Sequence, residues 1–305
     1  MNTDLTLIDL EYLGNTQVIA SCILEIENGV VIVDPGPGSA LTILLSRLRE
    51  LGVSARDIRE ILLTHVHLDH AGATGALVKQ NPSIRVLVHE KGAKHIIDPE
   101  RLLRSAARIY GDDMQRLWGE CIPVSPANVT ALVGSEHLSL GGRRFRVMYT
   151  PGHAIHHVAY LDLLTGVAFV GDTAGVRIRS SSIVPATPPP DIDLENWRRS
   201  LEQIRGWQPG RLFLTHFGPA DSVDWHLSEF KERLERWADT VRASIEREGN
   251  DEENAREFAH RATSELRAEL KVETEKLSRY ELSAGFMDSW YGLARYWRKA
   301  LFPPP

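Results

Sequence analysis

The segment Ile61-Leu62-Leu63-Thr64-His65-Val66-His67-Leu68-Asp69-His70-Ala71-Gly72 constrains this chain more than any other. Four ligand-type side chains, His65, His67, Asp69 and His70, fall within six residues directly after an apolar run. Packing alone gives no reason for that density. In an extended segment residues two apart face the same way, so His65 and His67 can reach one ion together. A helix beginning at Asp69 or His70 aims those two side chains at a second ion beside the first, and its free N–H groups fix the turn.

Three further segments repeat the pattern of a β-rich run meeting a ligand type beside Gly, Thr or Pro. They are Met148-Tyr149-Thr150-Pro151-Gly152-His153, Ala168-Phe169-Val170-Gly171-Asp172-Thr173 and Leu212-Phe213-Leu214-Thr215-His216-Phe217-Gly218-Pro219. A site assembled from loops at one edge of a sandwich needs such strand-end residues, held rigidly by the sheets beneath. Any one of these histidines alone reads as a surface or hydrogen-bonded core residue; together they read as a metal centre. Imidazole and carboxylate donors suit Zn²⁺, Fe²⁺ or Mn²⁺, and no thiolate is present to narrow the choice to zinc.

Hydrophobic patterning predicts β-rich runs at Leu5 to Leu13, Gln17 to Ile26, Val30 to Val33, Ile61 to Leu63, Arg85 to Val88, Phe145 to Tyr149, Val158 to Leu161 and Val167 to Val170. Turn signals such as Glu27-Asn28-Gly29 and Gly141-Gly142 separate them. Helical spacing predicts helices at Ala40 to Leu51 and Ala71 to Gln80. This order is neither strictly βαβα nor all-β, which suits two packed sheets flanked by helices. After Phe217 the character changes: Trp225 to Glu248, Asn254 to Leu277 and Gly285 to Leu301 read as amphipathic helices. The chain therefore divides into a metal-binding domain at 1–222 and a helical appendage at 223–305. Pro185 to Pro190, with four prolines in six residues, reads as a stiff loop leading to a helix at Leu194 to Arg205.

A chain of 305 residues buries an ample core without covalent staples. Cys22 and Cys121 stand far apart in no CxxC pattern, so they read as small core residues in a reducing compartment. The net charge of -6, with both signs interspersed, offers no broad basic surface for a nucleic acid. Met1 to Leu13 alternates apolar with polar and acidic residues, unlike a signal peptide, and no apolar run is long enough to span a bilayer. The expectation is a cytoplasmic protein acting on a small molecule, away from membranes, with self-association left open.

The quartet His65, His67, Asp69 and His70 resembles the His-x-His-x-Asp-His signature of the metallo-β-lactamase fold superfamily, which includes glyoxalase II type thioesterases and metal-dependent lactonases. The resemblance runs from about Val18 to Pro219. It implies an α/β fold of the α+β kind, a four-layer αββα sandwich of two mostly antiparallel sheets with the site at one edge. It also implies that His65, His67 and His153 bind a first metal, that Asp69, His70 and His216 bind a second, and that Asp172 bridges both. Asp34, in Val33-Asp34-Pro35-Gly36, would support the ligands together with Thr64 and His157, whereas His156 stands where the family often has glycine. Zinc is favoured by precedent. Two close ions can hold a bridging water, lower its pKa and present hydroxide to a carbonyl or phosphoryl centre, with Asp69 and Asp172 as the catalytic carboxylates.

Hydrolysis of an ester, lactone or thioester is the leading expectation. Many true β-lactamases of this fold place a cysteine where this chain has Asp172, and quorum-signal lactonases often carry a tyrosine soon after the bridging aspartate, which Ala174 to Ile183 lacks. Glyoxalase II enzymes grip glutathione with basic residues of a helical C-terminus, a part open to Arg295, Arg298 and Lys299, although a solvated helix end explains them more simply. Phosphoester cleavage and a mononuclear iron persulfide dioxygenase are the alternatives. Tyr280, Trp290, Tyr291 and Tyr296 are the residues through which the appendage would wall the substrate pocket.

Overall fold

Alternation along the strands sorts the apolar side chains into three layers, and that sorting produces the sandwich. The structure, a computed structural model, describes residues 5–178, 182–247, 249–271 and 274–301. Residues 1–4 of the N-terminal segment, 179–181 of the stretch searched for a tyrosine, 248 and 272–273 of two expected helices, and 302–305 of the appendage lie outside the described residues. The first sheet takes β1 (Leu5–Asp9), β2 (Ala20–Ile26), β3 (Gly29–Val33), β4 (Ile58–Leu62), β5 (Arg85–His89) and β6 (Val129–Leu132) in that spatial order. The second takes β7 (His137–Leu140), β8 (Arg143–Tyr149), β9 (Val158–Asp162), β10 (Val167–Phe169), β11 (Arg211–Leu214) and β12 (Gly218–Ala220), in the order β12-β11-β10-β9-β8-β7.

Successive strand residues point to opposite faces. Val31, Val33, Leu62 and Leu87 therefore meet Phe145, Val147, Tyr160 and Phe213 between the sheets. Their neighbours Ile32, Ile61, Val86 and Val88 face outward, where Leu44 and Leu48 of α1 (Leu41–Glu50) and Leu77 of the later α3 (Thr74–Gln80) cover them. Between those helices lies the single turn α2 (Leu68–Ala71). The outer face of the second sheet, including Ala168, Leu212 and Leu214, is covered in the same way by Trp197 and Leu201. Each such large apolar side chain contributes about 1.5–3 kcal/mol by leaving water.

The second sheet is mostly antiparallel, as expected, but the first is mixed: β1, β2 and β3 pair antiparallel, then β3-β4, β4-β5 and β5-β6 pair parallel. Parallel neighbours need crossover connections. The last of these holds three helices absent from the sequence expectations, α4 (Glu90–Ile97), α5 (Glu100–Tyr110) and α6 (Met114–Trp118).

Helix α7 (Leu194–Gly206) follows the proline-rich loop, and α8 (Val223–Ile245), α9 (Asp251–Leu270), α10 (Thr274–Ala284) and α11 (Phe286–Leu301) complete the chain. The helix expected over Asn254 to Leu277 is two helices, because α9 ends on Lys271 in a left-handed conformation. Phe230, Trp237, Phe258, Leu277 and Trp290 join the apolar cluster on the second sheet, so one core crosses the boundary expected at residue 222. Cys22 is buried and Cys121 half-buried, both free. Among the described residues no helix is long and apolar enough to cross a membrane.

Candidate metal centre

The expected ligands all leave the sandwich at one edge, just past the ends of strands. His65 and His67 follow β4, with His67 at the N-cap of α2, which carries Asp69 and His70; His153 follows β8, Asp172 follows β10, and His216 lies between β11 and β12. Two glycines explain the recurring pattern of glycine before ligand. Gly152 has φ +143, and a Cβ there would stand 2.4 Å from the Trp197 Cα; Gly171 has φ +46, and a Cβ would stand 2.5 Å from Thr64 Oγ1. Only glycine lets the chain pass so closely while presenting His153 and Asp172.

His65, His67 and His153 form one donor group. His67 Nδ1 stands 2.9 Å from His65 Nε2 and 3.0 Å from His153 Nε2. His153 donates its Nδ1–H to the Ala186 carbonyl at 2.9 Å, which leaves the Nε2 lone pair free to ligate. Burial, followed by neighbouring imidazoles, pushes His65 well below the ordinary histidine value and His67 down to about 3. Burial also lowers His153, against the pull of Asp172. The group is therefore held neutral, as metal binding requires.

Asp69, His70, Asp172 and His216 form the second group. His70 donates Nδ1–H to Asp34 Oδ2 at 2.9 Å, and His216 donates Nδ1–H to the Val18 carbonyl at 2.7 Å, so both offer Nε2 inward. His70 Nε2 lies 3.2 Å from Asp172 Oδ1, and His216 Nε2 lies 3.2 Å from Asp69 Oδ2. Burial disfavours the charged forms of both histidines, yet Asp172, Asp69 and, for His70, Asp34 outweigh it and raise their proton affinity. Burial raises Asp69 while His70 and His216 lower it, with a net result of about 2.

His70 Nε2, His216 Nε2 and Asp172 Oδ1 are buried without a hydrogen-bond partner. Such orphaned groups each cost about 1–3 kcal/mol, and a divalent cation would satisfy all three at once. The donor set fits a metal. Asp172 spans the two groups, with Oδ1 towards His70 and Oδ2 3.4 Å from His153 Nε2.

Asp34 organises the surroundings. Its Oδ1 accepts the Thr64 N–H at 2.8 Å; its Oδ2 accepts Thr64 Oγ1 at 2.7 Å, Thr215 Oγ1 at 2.9 Å and the His70 N–H. The Asp34 backbone adopts φ +47 to reach all of them. His157 stacks 5.0 Å from His65, with Nδ1 2.8 Å from Thr150 Oγ1. His156 joins neither donor group: its Nδ1 faces the Val66 N–H at 3.5 Å, and its ring stands 5.6 Å from that of His67.

A cavity of about 310 Å³ opens onto His67, Asp69, His153 and Asp172. The appendage does line it, but through Glu281 to Gly285 and Asp288 rather than through the aromatic residues expected. Tyr280 is fully buried, accepting the Ile178 N–H at 3.2 Å and donating to the Ser182 carbonyl at 2.8 Å, so it braces the loop that follows Asp172. Trp290 is also fully buried and donates to Ser244 Oγ, while Tyr291 and Tyr296 pack beside Trp290 and Trp297. The four lie on sides of α10 and α11 turned from the cavity, a fact of helix rotation that residue type does not carry. The aromatic wall is instead Tyr12, Tyr110 and Trp118. The spacing of Leu102, Ala106 and Ile109 along α5 was the available signal for that side. Arg298 pairs with Asp251, and Arg295 reaches the Pro190 carbonyl.

Residues 15–216 match the profile of the metallo-beta-lactamase superfamily. The chain belongs to that superfamily. A metallo-beta-lactamase fold-containing protein of Sulfurisphaera tokodaii is 33% identical over 161 residues, which are 52% of this chain and 60% of that protein. A hydroxyacylglutathione hydrolase of Maricaulis maris is 33% identical over 48% of this chain and 46% of its own length. The chain thus spans about half the length of such relatives. The crystal structure of a metallo-beta-lactamase family protein from Thermus thermophilus superposes with a TM-score of 0.69 at 23% identity, covering 94% of this chain and 92% of that one. The superfamily's four-layer fold accounts for the two sheets and their helical covers.

Proposed function

We propose that this chain is a dinuclear metal-dependent hydrolase that cleaves an ester, thioester or lactone bond in a small molecule. One observation carries the reading: Asp172 turns one carboxylate oxygen to each of two donor groups, and its Oδ1 and the buried Nε2 atoms of His70 and His216 beside it have no partner. His65, His67 and His153 would hold one ion and Asp69, His70 and His216 the other, with Asp172 shared. Divalent ions bound there supply an activated water and polarise the carbonyl under attack. Zinc, iron and manganese all accept these donors.

The chain's own residues do the positioning. Asp34, Ala186 and Val18 fix three imidazoles with Nε2 towards the site. Asp69 lies on the cavity wall with a fifth of its side chain exposed, where it can accept a proton from water or hand one to the leaving group. The likeness to hydroxyacylglutathione hydrolases supports an acyl substrate. Elemental analysis of protein purified without chelator tests the reading, with two metals per chain expected. Asp172→Ala should lose at least one metal and most activity, because no shared carboxylate then offsets the repulsion between two cations. Full metal content with near-normal kcat in that variant would refute the shared ligand. One iron per chain with oxygen uptake would favour oxidative chemistry instead.

A further inference from the structure

The walls of the cavity describe the part of the substrate that is not reacting. At one end lie four of the metal-centre residues, and the remaining wall is mostly hydrocarbon or aromatic, broken by Ser105, Ser283, Glu281 and Asp288. Leu102, Ala106 and Ile109 present one face of α5, and Leu117 continues it from α6. Tyr12, Trp118 and Tyr110 stand in succession, with ring centroids 6.0 Å and 5.1 Å apart. Pro188, Pro189 and Pro190 close another side with a rigid backbone. Charge points the same way. Outside the donor groups the acidic side chains on the wall are Glu281 and Asp288, whose proton affinity burial raises, and among the described residues no lysine or arginine lines the cavity. Beyond the metal centre an anionic conjugate would meet two acidic side chains and no basic one, and apolar walls cannot replace the water it must shed.

Resting on the hydrolase reading above, we propose that the substrate carries an uncharged hydrocarbon chain of medium length next to the scissile bond, that this chain fills the cavity, and that anionic conjugates such as glutathione thioesters are rejected. Water adds to the acyl carbon, the C–O or C–S bond breaks, and the products are a carboxylic acid and an alcohol or thiol. The volume of about 310 Å³ sits at the lower end of ligand-site volumes, which suits a chain of medium length within the cavity. The chain belongs to either the acyl or the alcohol half, so each half is varied separately.

The test uses the metal-loaded full chain. One series runs from acetyl to octanoyl esters of a single phenol, and a second runs from methyl to octyl acetates. In one of the two, kcat/KM should rise about fourfold per methylene until the cavity is full, the equivalent of about 0.8 kcal/mol per buried methylene. Octanoyl or octyl substrates should exceed S-lactoylglutathione by at least about tenfold. Ala106→Trp should flatten the rising series, lowering kcat/KM for the longest ester by more than for the shortest. Ile109→Lys changes a residue already 41% exposed, so folding is safe, and it should depress the long chains and raise the glutathione thioester. Flat series in both halves, or a preference for S-lactoylglutathione, overturns the proposal. If no ester or thioester is cleaved at all, the hydrolase reading fails, and calorimetric titration with octanamide then decides the cavity by itself. Binding to the wild type that is lost in Ala106→Trp sustains an apolar ligand, and absence of binding removes it.

Discussion

Replacing Asp34 with asparagine probes how a buried carboxylate sets the tautomer of a metal ligand. Asp34 receives four hydrogen bonds between 2.7 and 2.9 Å, and three of them converge on Oδ2. In Asp34→Asn the amide oxygen still accepts the Thr64 N–H, which leaves an NH₂ group where Oδ2 stood. The Thr64 and Thr215 hydroxyls can rotate and accept from it. His70 cannot adapt without moving its proton: either Nδ1–H faces a donor, or the proton moves to Nε2 and the lone pair aimed at Asp172 and Asp69 is lost. Loss of the charge-assisted bonds should cost about 2–4 kcal/mol of stability. Affinity at the Asp69, His70 and His216 group should fall about 10–100-fold, the usual effect of removing a partner of a ligating histidine. The His65, His67 and His153 group has no bond to Asp34 beyond Thr64 and should keep its metal. Chelator competition with elemental analysis reads both sites at once. Two metals bound within about threefold of wild-type affinity would show that Asp34 does not govern the His70 tautomer.

Tyr280→Phe removes the hydroxyl that joins Ile178 to Ser182, so it should lower stability by about 1–3 kcal/mol while leaving the ranking of substrates alone; altered ranking with unchanged melting would return Tyr280 to the substrate pocket. Burial lowers His226 to about 4. An unfolded histidine takes up its proton near pH 6.5, so its contribution is present above pH 6.5 and fades as pH falls towards 4, by about 3 kcal/mol in all. His226→Gln should flatten the fall in stability over that window, and an unchanged slope would contradict the shift. Gly152→Ala combines an unfavourable φ with a contact on the Trp197 backbone and should destabilise by more than about 4 kcal/mol; melting within 2–3 °C of wild type, roughly 1 kcal/mol for a chain this size, would show that the loop before His153 relaxes.

The cluster of His65, His67, Asp69 and His70 was legible because local geometry alone, a strand end turning into a helix, brings residues this close in sequence together. His153, Asp172 and His216 were legible because each follows a β-rich run broken off by Gly, Thr or Pro. Strands with a continuous apolar run, β3 and β9 among them, were found within a residue or two. The short β6, β7 and β12 were not, since they mix polar residues or Gly and Pro with few apolar ones and so form no apolar run. The parallel half of the first sheet stayed hidden with the helices of its last crossover, because strand direction is set by what connects two strands.

Residue types and spacing thus determined which side chains could gather at the edge of a sandwich, since ligand chemistry and strand period are local properties. Tertiary structure alone decided that Asp172 divides its two oxygens between donor groups, that Asp34 fixes His70 across 36 residues of chain, and that Tyr280 and Trp290 serve the core while Tyr12, Tyr110 and Trp118 wall the cavity. A helix presents every residue type to some direction. Only the packing of α5, α6, α10 and α11 against the sheets determines which of those directions is the cavity.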